Sequence, residues 1–220
     1  MFKVICKIFF IFLLLLPSWV IAEENWGIYF TGTNRDEITS GVANINSKTD
    51  MIPVGISYND NKIYFMFIKD PSLNATNYWI DFIDYNSSSA QIEGAIQKKV
   101  NEGWVPFDLT YTQSEILVLY LKCSVVLQEW LIVPCQNNWE SIQKTVSQQK
   151  GFFPLGMSFD KTNAYLLLIR AESKVSEWLI KNCGENNPAI NASINKSIKE
   201  GYTPYGFEYK GNQVGAVFLK

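Results

Sequence analysis

Four stretches of the chain share a turn followed by alternating apolar and polar positions. In each stretch a proline is followed by apolar residues at the first, third and fifth positions and by small or polar residues at the second and fourth. A period of two predicts a β-strand with one face in the core and the other near solvent or a close neighbour. The four prolines are Pro53, Pro106, Pro154 and Pro204.

A helix is predicted before each of these prolines. In the second stretch Ile92, Ile96 and Val100 recur at four-residue spacing, and Gly103 then provides a residue that can end a helix in a left-handed conformation. Because each helix has a single apolar stripe, we expect it to lie on a sheet with its other side in water. The other stripes are Ile38, Val42 and Ile45; Trp139, Ile142 and Val146; and Ile190, Ile194 and Ile198.

Two further strands belong to each stretch. The first opens with a tryptophan and is rich in β-branched and aromatic residues, the composition that a half-buried strand favours. The last is apolar almost throughout, as expected of a central strand covered on both faces. We interpret the four opening tryptophans as core residues: Trp26, Trp79, Trp130 and Trp178.

The predicted fold class is therefore α+β, with four tandem β-α-β-β repeats, mostly antiparallel sheet and helices packed on one face. The repeats cover about residues 25–72, 77–123, 128–171 and 176–220. Because the linkers are short, residues 23–220 are predicted to form a single repeat domain. The sheet order stays open between a closed ring, one long twisted sheet, and two lobes that meet near residues 124–128.

The first 22 residues have the pattern of a secretory signal peptide. Lys3 and Lys7 precede an apolar run over Ile8–Leu16, and compact residues at Val20–Ala22 follow. The run is shorter than the roughly 20 residues that a membrane-spanning helix needs. We expect cleavage after Ala22, a secreted or periplasmic product, and no stable membrane insertion after cleavage. A retained membrane anchor is the alternative.

Three cysteines follow the predicted cleavage point. Cys135 and Cys183 each lie five residues after the tryptophan of their repeat, so they occupy equivalent places in adjacent repeats. Export favours oxidation, and an odd number leaves one thiol unpaired. The possible disulfide is Cys135–Cys183. A bridge between Cys123 and Cys135, or no bridge at all, are the alternatives.

The composition excludes several kinds of chemistry. The chain has no histidine, which removes Ser-His-Asp and Cys-His nucleophile systems and histidine-rich metal sites. No glycine-rich phosphate loop of the GxGxxG or P-loop type occurs, and we predict neither a cofactor nor a metal. The 19 basic and 21 acidic residues argue against nucleic-acid binding, which depends on clustered basic side chains.

The polar positions of the alternating strands form the candidate binding surface. Among them, Asp108 replaces a residue of a glycine column and Glu208 replaces a residue of a serine and threonine column. We interpret both as solvated surface carboxylates. A carboxylate-dependent hydrolase of the glycosidase type is the alternative in which they act on a substrate. The predicted binding residues are Ser57, Asp108, Thr110, Ser158 and Glu208.

The combination of a tryptophan strand, a helix, a Gly-aromatic-x-Pro turn and a strand such as Met157-Ser158-Phe159 resembles a known kind of module. It is similar to the tandem-repeat modules on the non-catalytic side of polyglycine hydrolases and related bacterial secreted proteins. The likeness covers residues 26–220 as a pattern. The arginine that those modules often place before the proline is replaced by Ile52, Val105, Phe153 and Thr203.

The resemblance implies a repeat-built binding module, because those hydrolases carry their serine nucleophile in a separate domain. Together with the missing catalytic residues, it predicts an exported, non-enzymatic bacterial protein that binds a protein or a glycan. An enzyme inhibitor and an envelope or virulence-associated factor are two specific forms of this prediction.

Overall fold

The computed structural model describes residues 19–22, 25–160, 162–172 and 175–220. Most of the predicted signal peptide lies outside these residues. The first half of the described chain contains β1 (Trp19–Ala22), β2 (Trp26–Thr31), α1 (Arg35–Thr49), β3 (Ile52–Asn59), β4 (Lys62–Ile68), a short 3-10 helix (Pro71–Leu73), β5 (Asn77–Asp84), α2 (Ser89–Asn101), β6 (Val105–Tyr111) and β7 (Glu115–Lys122). The second half contains β8 (Leu127–Gln136), α3 (Trp139–Gln148), β9 (Phe153–Phe159), β10 (Asn163–Ala171), β11 (Trp178–Gly184), α4 (Asn187–Lys199), β12 (Thr203–Lys210) and β13 (Gln213–Leu219).

The described strands form four antiparallel sheets, and the fold is mixed α+β. Their strand orders are β1-β2-β4-β3, β5-β7-β6, β8-β10-β9 and β11-β13-β12. We call each sheet together with its helix a unit and number the units one to four along the chain. In each unit the apolar last strand lies between two other strands, which explains why it has no polar face. Among the described helices, none has the length and apolar character that a bilayer crossing requires.

Each helix begins at a side-chain cap and packs on its own sheet through the predicted stripe. The cap residue accepts a hydrogen bond from a backbone N–H of the first turn, as serine and asparagine do at this position. In α2, Ser88 and Gln91 form a reciprocal capping box. The other caps are Asn34, Asn138 and Asn186. The buried stripe residues include Ile38, Val42, Ile45, Ile92, Ile96, Ile142, Val146, Ile190 and Ile194.

The middle strand of each sheet is covered on both faces. In β7, Val118 lies in a cluster with Ile96 of α2, whereas Leu119 lies in the cluster that contains the first sheet. Leu167 of β10, in the third unit, lies in the same cluster as Ile96 and so packs against α2 of the second unit. Each sheet therefore packs its own helix against one face and the preceding unit against the other.

The third element of each unit, the strand after the proline, lies at the centre of the molecule. Strand β3 contacts β6, β6 contacts β9, β9 contacts β12, and β12 contacts β3. Of the three arrangements that the sequence left open, the structure has the closed ring. We call β3, β6, β9 and β12 the inner strands, and the line that they surround the ring axis.

A β-bulge follows the proline on each inner strand. The pairing register shifts between Pro53 and Gly55, between Pro106 and Asp108, and next to Pro154 and Pro204 in the other two sheets. A bulge bends a strand and increases its twist. The bulges thus let the inner strands turn toward the axis just after each proline.

The tryptophan of the second unit occupies a different place from the other three. Strand pairing puts Tyr78, and not Trp79, opposite Leu121, and Trp79 pairs with Tyr120. An offset of one residue turns a side chain to the opposite face of a sheet. Trp79 is 45% exposed, so its interpretation as a core residue is wrong. Of the other three, Trp26 is buried and Trp130 and Trp178 are partly buried.

Candidate functional site

All five predicted binding residues lie together around the ring axis. The structure brings Ser57, Asp108, Thr110, Ser158 and Glu208 to the inner strands, where none is more than 2% exposed. They do not form a solvent-facing surface, because the polar face of each inner strand is covered by the next inner strand of the ring. The interpretation of Asp108 and Glu208 as solvated carboxylates is wrong.

Hydrogen bonds from backbone to side chain connect the inner strands in a closed cycle. The N–H of Tyr58 donates to Thr110 Oγ1 over 2.9 Å, and that of Tyr111 donates to Ser158 Oγ over 3.1 Å. The cycle continues from Phe159 N–H to Glu208 Oε1 (3.4 Å) and closes from Tyr209 N–H to Ser57 Oγ (2.9 Å). Each acceptor is the fourth residue after the proline of its unit, and each donor is the fifth residue after the proline of another unit. These polar residues therefore hold the ring together.

The Asp108 carboxylate accepts a backbone hydrogen bond from all four inner strands. Oδ2 accepts from Ile56 N over 2.9 Å, and Oδ1 accepts from Leu109 N and Met157 N over 2.9 and 3.1 Å. The N–H of Phe207 is the fourth donor. The donors are the third residue after each proline, so one carboxylate satisfies the same backbone position of every unit.

Glu208 lies in the next layer along the axis and accepts mainly from hydroxyl groups. Ser158 Oγ donates to Oε1 over 3.3 Å and Thr110 Oγ1 donates to Oε2 over 3.5 Å, and the Ser57 hydroxyl is a third donor. These three hydroxyls are the ones that accept the inter-strand backbone bonds. Glu208 therefore orients the hydroxyl groups of the other three units.

Burial raises the pKa of the Glu208 carboxyl well above its usual range, and the nearby Asp108 carboxyl raises it further. Burial also raises the pKa of Asp108, against the lowering effect of its four N–H donors. Because four donors point at Asp108, a proton on that carboxyl would face them. Glu208 is instead surrounded by hydroxyl groups, which can turn to accept a hydrogen bond, so we expect a proton to be retained on Glu208 in preference to Asp108.

The pH dependence of stability tests this assignment. A carboxyl whose pKa is raised by folding stabilises the folded state fully below its unfolded pKa of about 4.3, and the contribution is lost as the pH rises through the raised value. Relative to Glu208→Gln, the wild-type protein should therefore lose unfolding free energy as the pH rises from acid toward neutral. Urea unfolding over a pH series measures this difference, with the exposed Glu93→Gln as control. Parallel curves for wild type and Glu208→Gln would contradict the assignment.

A pocket of about 360 Å³ opens at the end of the ring where the chain passes from one sheet to the next. We call it the axial pocket. The first residues after three of the prolines line it, and they are Phe107, Leu155 and Tyr205. Segments between sheets supply the rest of the wall, including Leu73 and Val125. The sequence does not reveal this pocket, because its lining comes from widely separated positions.

A few polar groups lie among the apolar walls of the axial pocket. The Tyr205 hydroxyl donates to Asp70 Oδ2 over 3.0 Å, and burial followed by the Asp70 charge raises the pKa of that hydroxyl. Ser124 Oγ donates to the backbone oxygens of Ser72 and Leu73. Lys220 is part of the lining as well. Apolar walls with few fixed polar groups are typical of ligand pockets.

The three described cysteines are free thiols, so the predicted disulfide between Cys135 and Cys183 is absent, as is the alternative bridge from Cys123. The Cys135 thiol lies beside Thr145 of α3, whereas that of Cys183 lies beside Ser193 of α4. Each thiol thus faces the helix of its own unit. Burial raises the pKa of all three thiols, which lowers their reactivity.

Within the described residues, no group of three or more Cys, Asp or Glu side chains is arranged to hold a metal ion. Comparison with protein-family models and with curated proteins gives no match for this chain. The function of the chain therefore has to be inferred from its sequence pattern and from the geometry of the sites.

Proposed function

We propose that the chain is built from four copies of one β-α-β-β repeat and functions as an exported, non-enzymatic binding protein. In this proposal the axial pocket receives an apolar side chain of a protein partner. The observation that carries the proposal is the open, largely apolar axial pocket at one end of a ring whose polar centre is closed.

The closed centre favours binding over catalysis. Asp108 is fully buried and Glu208 is 2% exposed, and their carboxyl oxygens are engaged by donors from the inner strands. A hydrolytic pair needs contact with the substrate and with water. The glycosidase-like alternative would thus require the ring to open.

The lining of the axial pocket favours a protein partner over a glycan. Phe107, Leu155 and Leu219 offer apolar surface, whereas a sugar presents hydroxyl groups around its ring that need several polar partners. The Asp70 carboxylate already accepts from Ser72 and from the Tyr205 hydroxyl, which leaves it capacity for one further hydrogen bond from the bound group. An apolar side chain with a single donor fits this chemistry.

Two neighbouring valines provide a matched test. Val125 lines the axial pocket, whereas Val126 is 53% exposed and is not part of the lining. In selection from a random peptide library, peptides bound by the wild-type protein should share an apolar residue. Their affinity should fall at least about tenfold, or ~1.4 kcal/mol, in Val125→Asp, because a charge then lies in the apolar wall. Val126→Asp should leave it unchanged.

Other outcomes of the same experiments would contradict the proposal. Equal loss of binding in both variants would place the peptide outside the axial pocket. Binding on a glycan array in the absence of peptide binding would favour the glycan. Hydrolase activity that disappears in both Asp108→Asn and Glu208→Gln would support the enzyme alternative.

A further inference from the structure

A second open site lies between the second and third units. A groove of about 700 Å³ separates α2 from β8, the terminal strand of the third sheet. Ala90, Gly94 and Gln97 line it from the helix, and residues 127–132 line it from the strand. We call it the α2–β8 groove. One wall is therefore the outer edge of a β-strand.

The corresponding place is covered at two other junctions of the ring. Between the third and fourth units, the Gln143 side chain of α3 donates to the backbone oxygen of Ile180 in β11 over 3.1 Å. Between the fourth and first units, β1, which belongs to the predicted signal peptide and is present only before cleavage, pairs antiparallel with the outer edge of β2 and contacts α4. At this junction a strand of the same chain, β1, is therefore added to the edge strand β2 beside α4.

Gly94 lines the helix side of the α2–β8 groove and, having no side chain, leaves this part of the groove unfilled. A Cβ atom added at Gly94 would meet no atom within 4 Å, so the glycine is not required by packing inside the protein. Glycine within a helix costs about 0.5–1 kcal/mol relative to alanine. Across the groove, Trp130 Nε1 donates to Gln97 Oε1 over 3.0 Å and forms part of the wall. Although this hydrogen bond bridges the groove at Gln97, no atom lies within 4 Å of a Cβ placed at Gly94, so that part of the groove is open to an incoming chain.

We propose that the α2–β8 groove binds an extended, apolar peptide strand of another protein by antiparallel addition to β8. Main-chain hydrogen bonds to the outer edge of β8 would give the affinity, and alternate side chains would lie below α2. The chemistry of the occupant follows from β1, whose sequence Trp-Val-Ile-Ala occupies the corresponding place on β2. This site is separate from the axial pocket, and either proposal can fail without the other.

The test uses the uncleaved full chain, in which β1 covers the edge of β2, and a synthetic peptide with the sequence of residues 18–23, blocked at both ends. We expect saturable binding and slower amide hydrogen exchange in β8. Gly94→Trp should weaken binding on the order of tenfold or more, because the indole fills the groove. Lys98→Trp, an exposed site on α2 outside the groove, is the matched control and should bind as the wild type does.

A second control separates strand addition from simple apolar contact. The same peptide with methylated backbone nitrogens at alternate residues keeps its side chains but cannot donate to the β8 edge, and it should not bind. Equal binding of the methylated peptide, protection of β2, β5 or β11 in place of β8, or no binding of the parent peptide would overturn the proposal. A concentration-dependent dimer abolished by Gly94→Trp would assign the groove to a second copy instead.

Discussion

Replacing Asp108 by glycine is expected to destabilise the protein by about 4 kcal/mol or more, although glycine is the residue that the other three units have at this position. The variant leaves the N–H groups of Ile56, Leu109, Met157 and Phe207 without their acceptor. A buried donor without a partner costs roughly 1–3 kcal/mol. Urea unfolding measures the loss, with Asp84→Gly as an exposed control.

Small carboxylates should partly restore the stability of Asp108→Gly. Formate can occupy the space of the lost carboxyl group and accept the same N–H donors, and a ligand that binds only the folded state raises its stability by mass action. The wild type should show no such response. Asp108→Asn should fall between the two proteins, since its amide nitrogen would face donors. If Asp108→Gly were as stable as the wild type and indifferent to formate, the carboxylate would not be what satisfies the inner strands.

The alternation along the inner strands could be predicted, but what covers their polar face could not. A period of two separates the two faces of a strand and says nothing about what lies against each. Ser57 and Ser158 would look the same in sequence on a solvated face. The informative signal was the column Gly55, Gly156 and Gly206, because small residues on one face permit backbones to approach closely.

The strand register of the second unit is a second feature that could not be predicted from the sequence. Spacing in the sequence aligns Trp79 with the other tryptophans, but strand pairing aligns Tyr78 with them. The offset could not be read from the sequence because turns and bulges absorb single residues. The Lys99 ammonium of α2 lies 4.4 Å from the Trp79 ring centroid, so the exposed indole makes a cation–π contact with the helix.

The axial pocket and the cysteines depend on contacts between distant residues. Asp70 and Tyr205 are 135 residues apart, and no local pattern in either segment indicates their hydrogen bond. Equivalent positions in adjacent units suggested that Cys135 and Cys183 could pair. In a ring each such position faces the helix of its own unit, so equivalence in sequence keeps the two thiols apart.

Closure of the ring depends on how closely the inner strands approach one another at Gly206. A Cβ atom at this position would lie 2.1 Å from the backbone oxygen of Leu155 and 3.0 Å from the Cα of Gly156. Both are backbone atoms of β9, so relief requires that two inner strands separate. Separation would also lengthen the hydrogen bonds from Phe159 N and from the Ser158 hydroxyl to Glu208, which join β9 to β12.

Gly206→Ala is therefore expected to destabilise the protein by about 3 kcal/mol, the upper end of the usual range for overpacking. Gly94→Ala is the matched control, because its Cβ meets no atom and alanine favours a helix, so that variant should gain about 0.5–1 kcal/mol. Denaturant unfolding of both variants provides the measurement. If Gly206→Ala were as stable as the wild type, β9 and β12 would have to lie farther apart than the structure shows. The hydrogen bonds across the ring axis would then not have the geometry described for them.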